Sequence, residues 1–215
     1  MDLWQYVSER WDRLSLQALL HVSGVVQCTI IAAIIGVGVG VLVYRSSVGS
    51  AAATALASTI LTVPSFALLG LLIPFLGLGV APSVTALVLY GLLPILRNTI
   101  VGLNGVDPAV TDAAKGIGMS RLGVLTRVEV RMAWPAILTG MRVSAQMLMG
   151  IAVIAAYAKG FGLGSEVFSG LTRAGSANSL NQALAGTLGV VILALILDAV
   201  FVLIARLTIP KGVRD

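Results

Sequence analysis

The feature that most constrains this chain is a succession of apolar runs, each about 20 residues or longer, the length a helix needs to cross the hydrocarbon core of a bilayer. The runs extend from about Leu20 to Tyr44, Ala53 to Leu78, Pro82 to Leu103, Trp134 to Tyr157 and Leu184 to Leu207. Lipid offers the backbone no hydrogen-bond partners, so such runs fold as helices that satisfy themselves. Of the 215 residues, 58% are hydrophobic and only 11% charged, and the mean hydropathy is +1.01. A soluble domain of this size cannot hide that much apolar surface. The expected fold is an all-α integral membrane protein of about five transmembrane helices, with no room for a large soluble module.

Residues 1–19 mix Trp4, Tyr6 and Trp11 with Asp2, Glu9, Arg10, Asp12 and Arg13, a pattern expected of an amphipathic segment at the bilayer surface. The expected division is therefore an interfacial segment over 1–19 and a membrane domain over 20–215. His21, beside the first run, reads as an interfacial residue, and Cys28 as a small packing residue. The net charge of +5 does not point to nucleic acid, because the Lys and Arg residues lie between or beside the apolar runs. Arg45, Lys115, Arg121, Arg127, Arg131, Arg206, Lys211 and Arg214 fall on one side of a five-span chain and Arg10, Arg13, Lys159 and Arg173 on the other. The positive-inside rule then predicts the N-terminus outside and the C-terminus in the cytoplasm. No phosphate-binding Gly-Lys-Ser or Gly-Lys-Thr loop is present, and one His with one Cys makes a common metal site unexpected.

Several residues inside the runs are candidates for a pathway. Pro64 with Ser65, and Pro74, interrupt the second run; Tyr90, Pro94 and Asn98 lie in the third. Proline removes a backbone donor and kinks a helix, which a membrane tolerates where the freed carbonyls face protein or water; the alternative is a static kink that shapes the bundle. Asp198 is a carboxylate inside the fifth run, either a bond to a neighbouring helix or part of the pathway. Gly36 and Gly40 form a small-residue face suited to close helix packing.

The longest polar connection, 104–133, holds a well-marked short helix. Asp107 is placed to cap it, Pro108 fits its first position, and Gly116 and Gly118 end it. A second helix can start at Ser120, with Leu122, Leu125 and Val128 on one face. The small residues Ala113 and Ala114 suit insertion into a groove of another protein, the alternative being a plain interfacial loop with no partner.

Asp112-Ala113-Ala114, three residues, Gly118, nine residues and Val128-Glu129-Val130-Arg131 resemble the signature loop of permeases of binding-protein-dependent ABC importers. There the pattern reads Glu-Ala-Ala, Gly, then Ile-x-Leu-Pro, and the loop forms a coupling helix that docks on the ATPase. Here Asp112 replaces Glu, Arg131 stands at the first Pro, and Pro135 matches the second proline often seen. Thr62 to Gly79, Tyr90 to Thr99, Gly160 to Gly164 and Leu197-Asp198 are similar to the glycine betaine, carnitine and choline importers. The resemblance implies a type I importer permease of the bacterial cytoplasmic membrane that is not an enzyme and binds no cofactor itself. It implies coupling residues Asp112, Ala113, Ala114, Gly118 and Arg121, a separate ATP-binding cassette ATPase, a second permease chain and an extracytoplasmic substrate-binding protein. Phe66, Phe75, Tyr90, Tyr157 and Phe201 are the few aromatic candidates for holding a quaternary ammonium. An amino-acid importer permease, half of a secondary transporter, and a non-transporting membrane scaffold are the alternatives.

Overall fold

The computed structural model describes residues 2–209, which form helices and turns with no strand. In chain order the helices are α1 (Leu3–Glu9), α2 (Trp11–Val43), α3 (Ser47–Thr62), α4 (Ser65–Leu76), α5 (Val80–Asn104), α6 (Pro108–Gly116), α7 (Arg121–Val124), α8 (Val130–Ala155), α9 (Gly164–Thr172) and α10 (Ser179–Thr208). A π-helical turn, Leu125–Glu129, joins α7 to α8, and a 3-10 turn, Ala156–Ala158, extends α8. The stretch Arg121–Ala158 is thus continuous, and with α2, α5 and α10 it makes four helices long and apolar enough to cross a membrane. The α3 and α4 pair, bent by 96°, brings the number to five when taken as one broken span.

The threading supports that reading of the pair. At one end of the bundle Tyr44, after α2, packs with Leu103 of α5 and Ala133 and Ile137 of α8; α6 and α7 lie at this loop end. At the far end Gly79 donates to the Ala158 carbonyl, 2.9 Å, and Leu14 of α2 packs beside Leu163. Both α2 and α5 run from the far end to the loop end, so α3 and α4 must return the chain between them. Lys211 and Arg214, expected in the basic tail, lie outside the described residues.

Two expectations change, and one connection gains a helix. The 53–78 run is two helices rather than one kinked helix, because the residue before a proline is driven out of helical geometry. Val63 is extended, φ −69° and ψ 127°, and Pro64 opens α4. The first long helix begins at Trp11, ahead of Leu20, so His21 lies well inside it. Facing α8 rather than the interface, His21 is fully buried, and its Nε2 meets the Met149 carbonyl at 3.1 Å. The Gly-rich connection after the fourth run contains α9, a helix too short for periodicity to reveal.

The centre of the bundle is α5, approached closely on two sides through glycine. A Cβ on Gly40 of α2 would lie 2.7 Å from Thr99, and one on Gly36 3.0 Å from Ile95, whereas Gly38 faces open space. On α8, a Cβ at Gly140 would lie 2.8 Å from both the Pro94 carbonyl oxygen and Asn98. Ser144, one turn on, donates to the Gly91 carbonyl at 3.1 Å. Small residues let the backbones meet, which supplies packing that hydrophobicity cannot supply in lipid.

Three acids lock the helices laterally. Glu129, at the π turn and 7% exposed, accepts from Tyr44 at 2.7 Å and from Arg45 at 3.0 and 3.2 Å. Glu166 of α9, 1% exposed, pairs with Arg13 of α2 at 2.7 Å, and Gln182 of α10 donates to it at 3.0 Å. Asp198 of α10 accepts two bonds from Arg142 of α8, 2.5 and 2.6 Å, and one from Gln146.

Two outcomes follow. Gly140→Val should cost about 1–3 kcal/mol through overpacking against backbone, read as a lower melting temperature in detergent, whereas Gly38→Ala should leave it unchanged. Arg142→Asp and Asp198→Arg should each lower the yield of folded chain, and the exchanged pair should recover at least half of that loss in the same thermal assay.

Candidate coupling site and pathway

The helix expected in the polar connection is α6, and its ends are formed as the residues dictate. The Asp107 side chain accepts from Ala109 at 2.8 Å and Pro108 occupies the first helical position. At the other end Met119 donates to the Ala114 carbonyl and Gly118 to that of Lys115, with Gly118 at φ +87°. This is the paired 6→1 and 5→2 closure that a left-handed residue permits, and glycine takes that conformation without steric cost. Ser120 caps α7 by accepting from Gly123 at 3.1 Å. Both α6 ends are therefore fixed independently of any partner.

The two alanines of the motif face different ways. Ala114 is 7% exposed, turned onto the chain's own α7 and π turn, whereas Ala113 is exposed. Ala113 shares its outer face with Val110, 38% exposed, and Ile117, 82% exposed. Asp112 pairs at 2.8 Å with Lys115 on the surface, and Arg121 is exposed at the start of α7. The outward face is thus a short apolar strip flanked by charge. Both alanines are expected on the outer face; Ala113 alone lies there, because a helix resting on its own chain must bury one side. At Arg131, where the motif has proline, the helix runs on without a break, and the irregularity lies ahead of it in the π turn.

Of the pathway candidates, the structure unites some and separates others. The Tyr90 hydroxyl donates to the Val63 carbonyl at 2.6 Å, so Tyr90 meets the chain break opened by Pro64 and Ser65. Further along α5, the Asn98 amide donates to the Pro94 carbonyl at 2.8 Å where Gly140 crosses. Pro74 lies in the last turn of α4, and Asp198 is engaged by α8. Phe66 and Tyr157 come together, ring centroids 5.4 Å apart, with a third ring, Phe168 of α9, at 6.2 and 5.7 Å. Phe75, Tyr90 and Phe201 do not join them.

Sequence reasoning missed Glu166 with its partners Arg13 and Gln182, and it missed Phe168. The available signal was a single acid in an otherwise Gly- and Ser-rich stretch flanked by Val167 and Phe168.

The family described as "Binding-protein-dependent transport system inner membrane component" matches residues 31–210. The chain is 36% identical, over 100% of both chains, to the osmoprotectant import permease protein OsmW of Salmonella typhimurium. It is 37% identical to the glycine betaine/carnitine/choline transport system permease protein OpuCB of Bacillus subtilis, covering 84% of this chain and 82% of that one. Against Listeria monocytogenes carnitine transport permease protein OpuCB the identity is 35%, over 98% and 94%. Among solved structures, an inward-facing chain of the MetNI methionine ABC transporter superposes with a TM-score of 0.77 at 18% identity, covering 97% of this chain and 99% of that one. An amino acid ABC transporter gives 0.68 at 19%, over 96% and 98%. The fold is that of an ABC importer permease. With the matched region spanning most of the sequence, the chain belongs to the inner membrane components of binding-protein-dependent transport systems.

Proposed function

We propose that this chain is the transmembrane permease subunit of an ATP-driven importer of quaternary-amine compatible solutes, glycine betaine, carnitine or choline, with proline in the same class. The observation that carries the solute class is identity of 35–37% with osmoprotectant and carnitine permeases over most or all of the chain. The amino-acid transporters share the fold at 18–19% identity, a level that speaks to architecture and not to solute. ATP is hydrolysed by a separate cassette ATPase, a second permease chain completes the pathway, and an extracytoplasmic binding protein supplies tight recognition. The loop end faces the cytoplasm, since Arg45, Lys115, Arg121, Arg127, Arg131 and Arg206 cluster there.

The mechanical part of the reading rests on continuity. α6 sits on α7 and the π turn, and the helix from Arg121 to Ala158 is unbroken over 38 residues, about 57 Å at 1.5 Å per residue. A displacement imposed on α6 by nucleotide-driven closure of the ATPase is therefore carried along one rigid element to the far mouth. There Ala158 accepts from Gly79, between α4 and α5. Differential docking of α6 in two ATPase states biases the permease between two arrangements.

Two experiments test this. The complex reconstituted in vesicles should accumulate glycine betaine only with ATP and the cognate ATPase, and uptake that persists without the ATPase would sink the reading. Ile117→Asp, on the outer face of α6, should reduce both the ATPase that copurifies and ATP-driven uptake at least tenfold while membrane insertion and thermal stability stay unchanged. Ala114→Arg should instead lower stability, because Ala114 faces its own chain.

A further inference from the structure

Arg97 lies in the spanning helix α5, about two turns before its end at Asn104. Its side chain is exposed, and no hydrogen bond or ion pair reaches its guanidinium among the described residues. It borders a groove of about 470 Å³ between α3 and α5, whose polar lining is Ser50, Thr54 and Ser58. These three follow at i, i+4 and i+8, so they share one face of α3. Ser50 donates to the Val43 carbonyl at 2.9 Å and keeps its lone pairs free. The groove starts at the loop end, where α3 begins, and climbs past Arg97 toward the chain break at Val63.

A charged group inside a span turns to a partner or to a water-filled cavity, not to lipid. The other arginine deep in a span, Arg142, holds Asp198. Among the described residues no acid is offered to Arg97. Near the loop end Asp107 caps α6, Asp112 pairs with Lys115, and Glu129 is taken by Tyr44 and Arg45. Glu166 and Asp198 are engaged elsewhere, and Asp2, Glu9 and Asp12 lie at the opposite end, in or beside α1 and the start of α2. A second copy of this chain in the same orientation would bring the same described acids, either engaged or at the opposite end. The anion that meets Arg97 therefore comes from outside the described residues.

We propose that Arg97, with Thr54 and Ser58, is a carboxylate-binding station on the loop side of the pathway, taking the anionic end of a zwitterionic solute. The guanidinium matches a carboxylate with two parallel donors, and the two hydroxyls can donate to the remaining lone pairs. Because the groove is open, the contact is brief enough for release. Choice of glycine betaine or carnitine as solute rests on the function proposed above; the carboxylate chemistry does not.

The test uses the full complex in inside-out membranes, with single cysteines at Thr54 or Ser58 in a Cys28→Ala chain and a charged methanethiosulfonate reagent. Labelling should be at least tenfold faster than at Leu56, which is 68% exposed on another face of α3. Acetate and glycine betaine should each slow it at least threefold, equimolar tetramethylammonium chloride should not, and Arg97→Gln should abolish the protection. Labelling no faster than at Leu56, protection by neither carboxylate, or protection that survives Arg97→Gln overturns the proposal. ATP-driven uptake by the unmodified complex is measured in parallel. Failed betaine uptake with acetate protection intact refutes the solute reading alone, and intact uptake with no protection refutes the station alone.

Discussion

Neutralising charge inside an apolar bundle is the constraint on which the rest of this structure depends. Three acids within the bundle each meet an arginine from a different element: Glu129 with Arg45, Glu166 with Arg13, Asp198 with Arg142. A carboxylate with no partner in such surroundings carries a large desolvation cost, so the partner fixes which faces may meet. The pairs specify more than they stabilise. Helices sliding along one another in lipid keep similar dispersion contacts, but only one register brings Asp198 to Arg142 and Gln146 together. The glycine contacts of α5 with α2 and α8 then set the depth of approach once register is chosen.

The same ties divide the chain into a braced part and a lightly held part. α2, α8, α9 and α10 are joined by ion pairs, and α5 is seated between α2 and α8 by close backbone contact. α3 has one buried residue, Ala57, and α4 has two, Leu68 and Leu69, and neither takes part in an ion pair among the described residues. What holds their junction is the bond from Tyr90 to the Val63 carbonyl. A segment with few buried contacts has a low local opening free energy, so compliance in this permease is concentrated in the broken span.

Much of this was legible in the sequence, for identifiable reasons. Uninterrupted apolar stretches leave a chain in lipid little choice, so the spans and the helical class follow directly. The α6 helix was legible down to its caps because Asp107, Pro108 and Gly118 each have one conformational use. The severity of the break at Pro64 was not, since a proline kinks or breaks according to whether something satisfies the freed carbonyl, and Tyr90 stands far off in sequence. Nor does sequence say which of two adjacent alanines faces the chain's own π turn. His21 was misplaced because the helix starts at Trp11, and aromatic and charged residues at its head read as interface. Glu166 was invisible because α9 is shorter than the window in which periodicity can be seen.

Arg97 separates the two roles that charge plays in this bundle. Arg13, Arg45 and Arg142 each have an acid in the chain that makes sense of their placement, and removing the acid would strand them. Arg97 has none among the described residues, yet it stands on the same helix as Tyr90, Pro94 and Asn98 and faces the loosely held α3 across a hydroxyl-lined groove. A structural arginine belongs where the bundle is braced, because its energy comes from a fixed partner. A cation left open beside the compliant segment gains no stability from its position. Its surroundings are those of a group that meets its counter-charge only in passing, which is the physical requirement for a contact along a transport route rather than a tie within a scaffold.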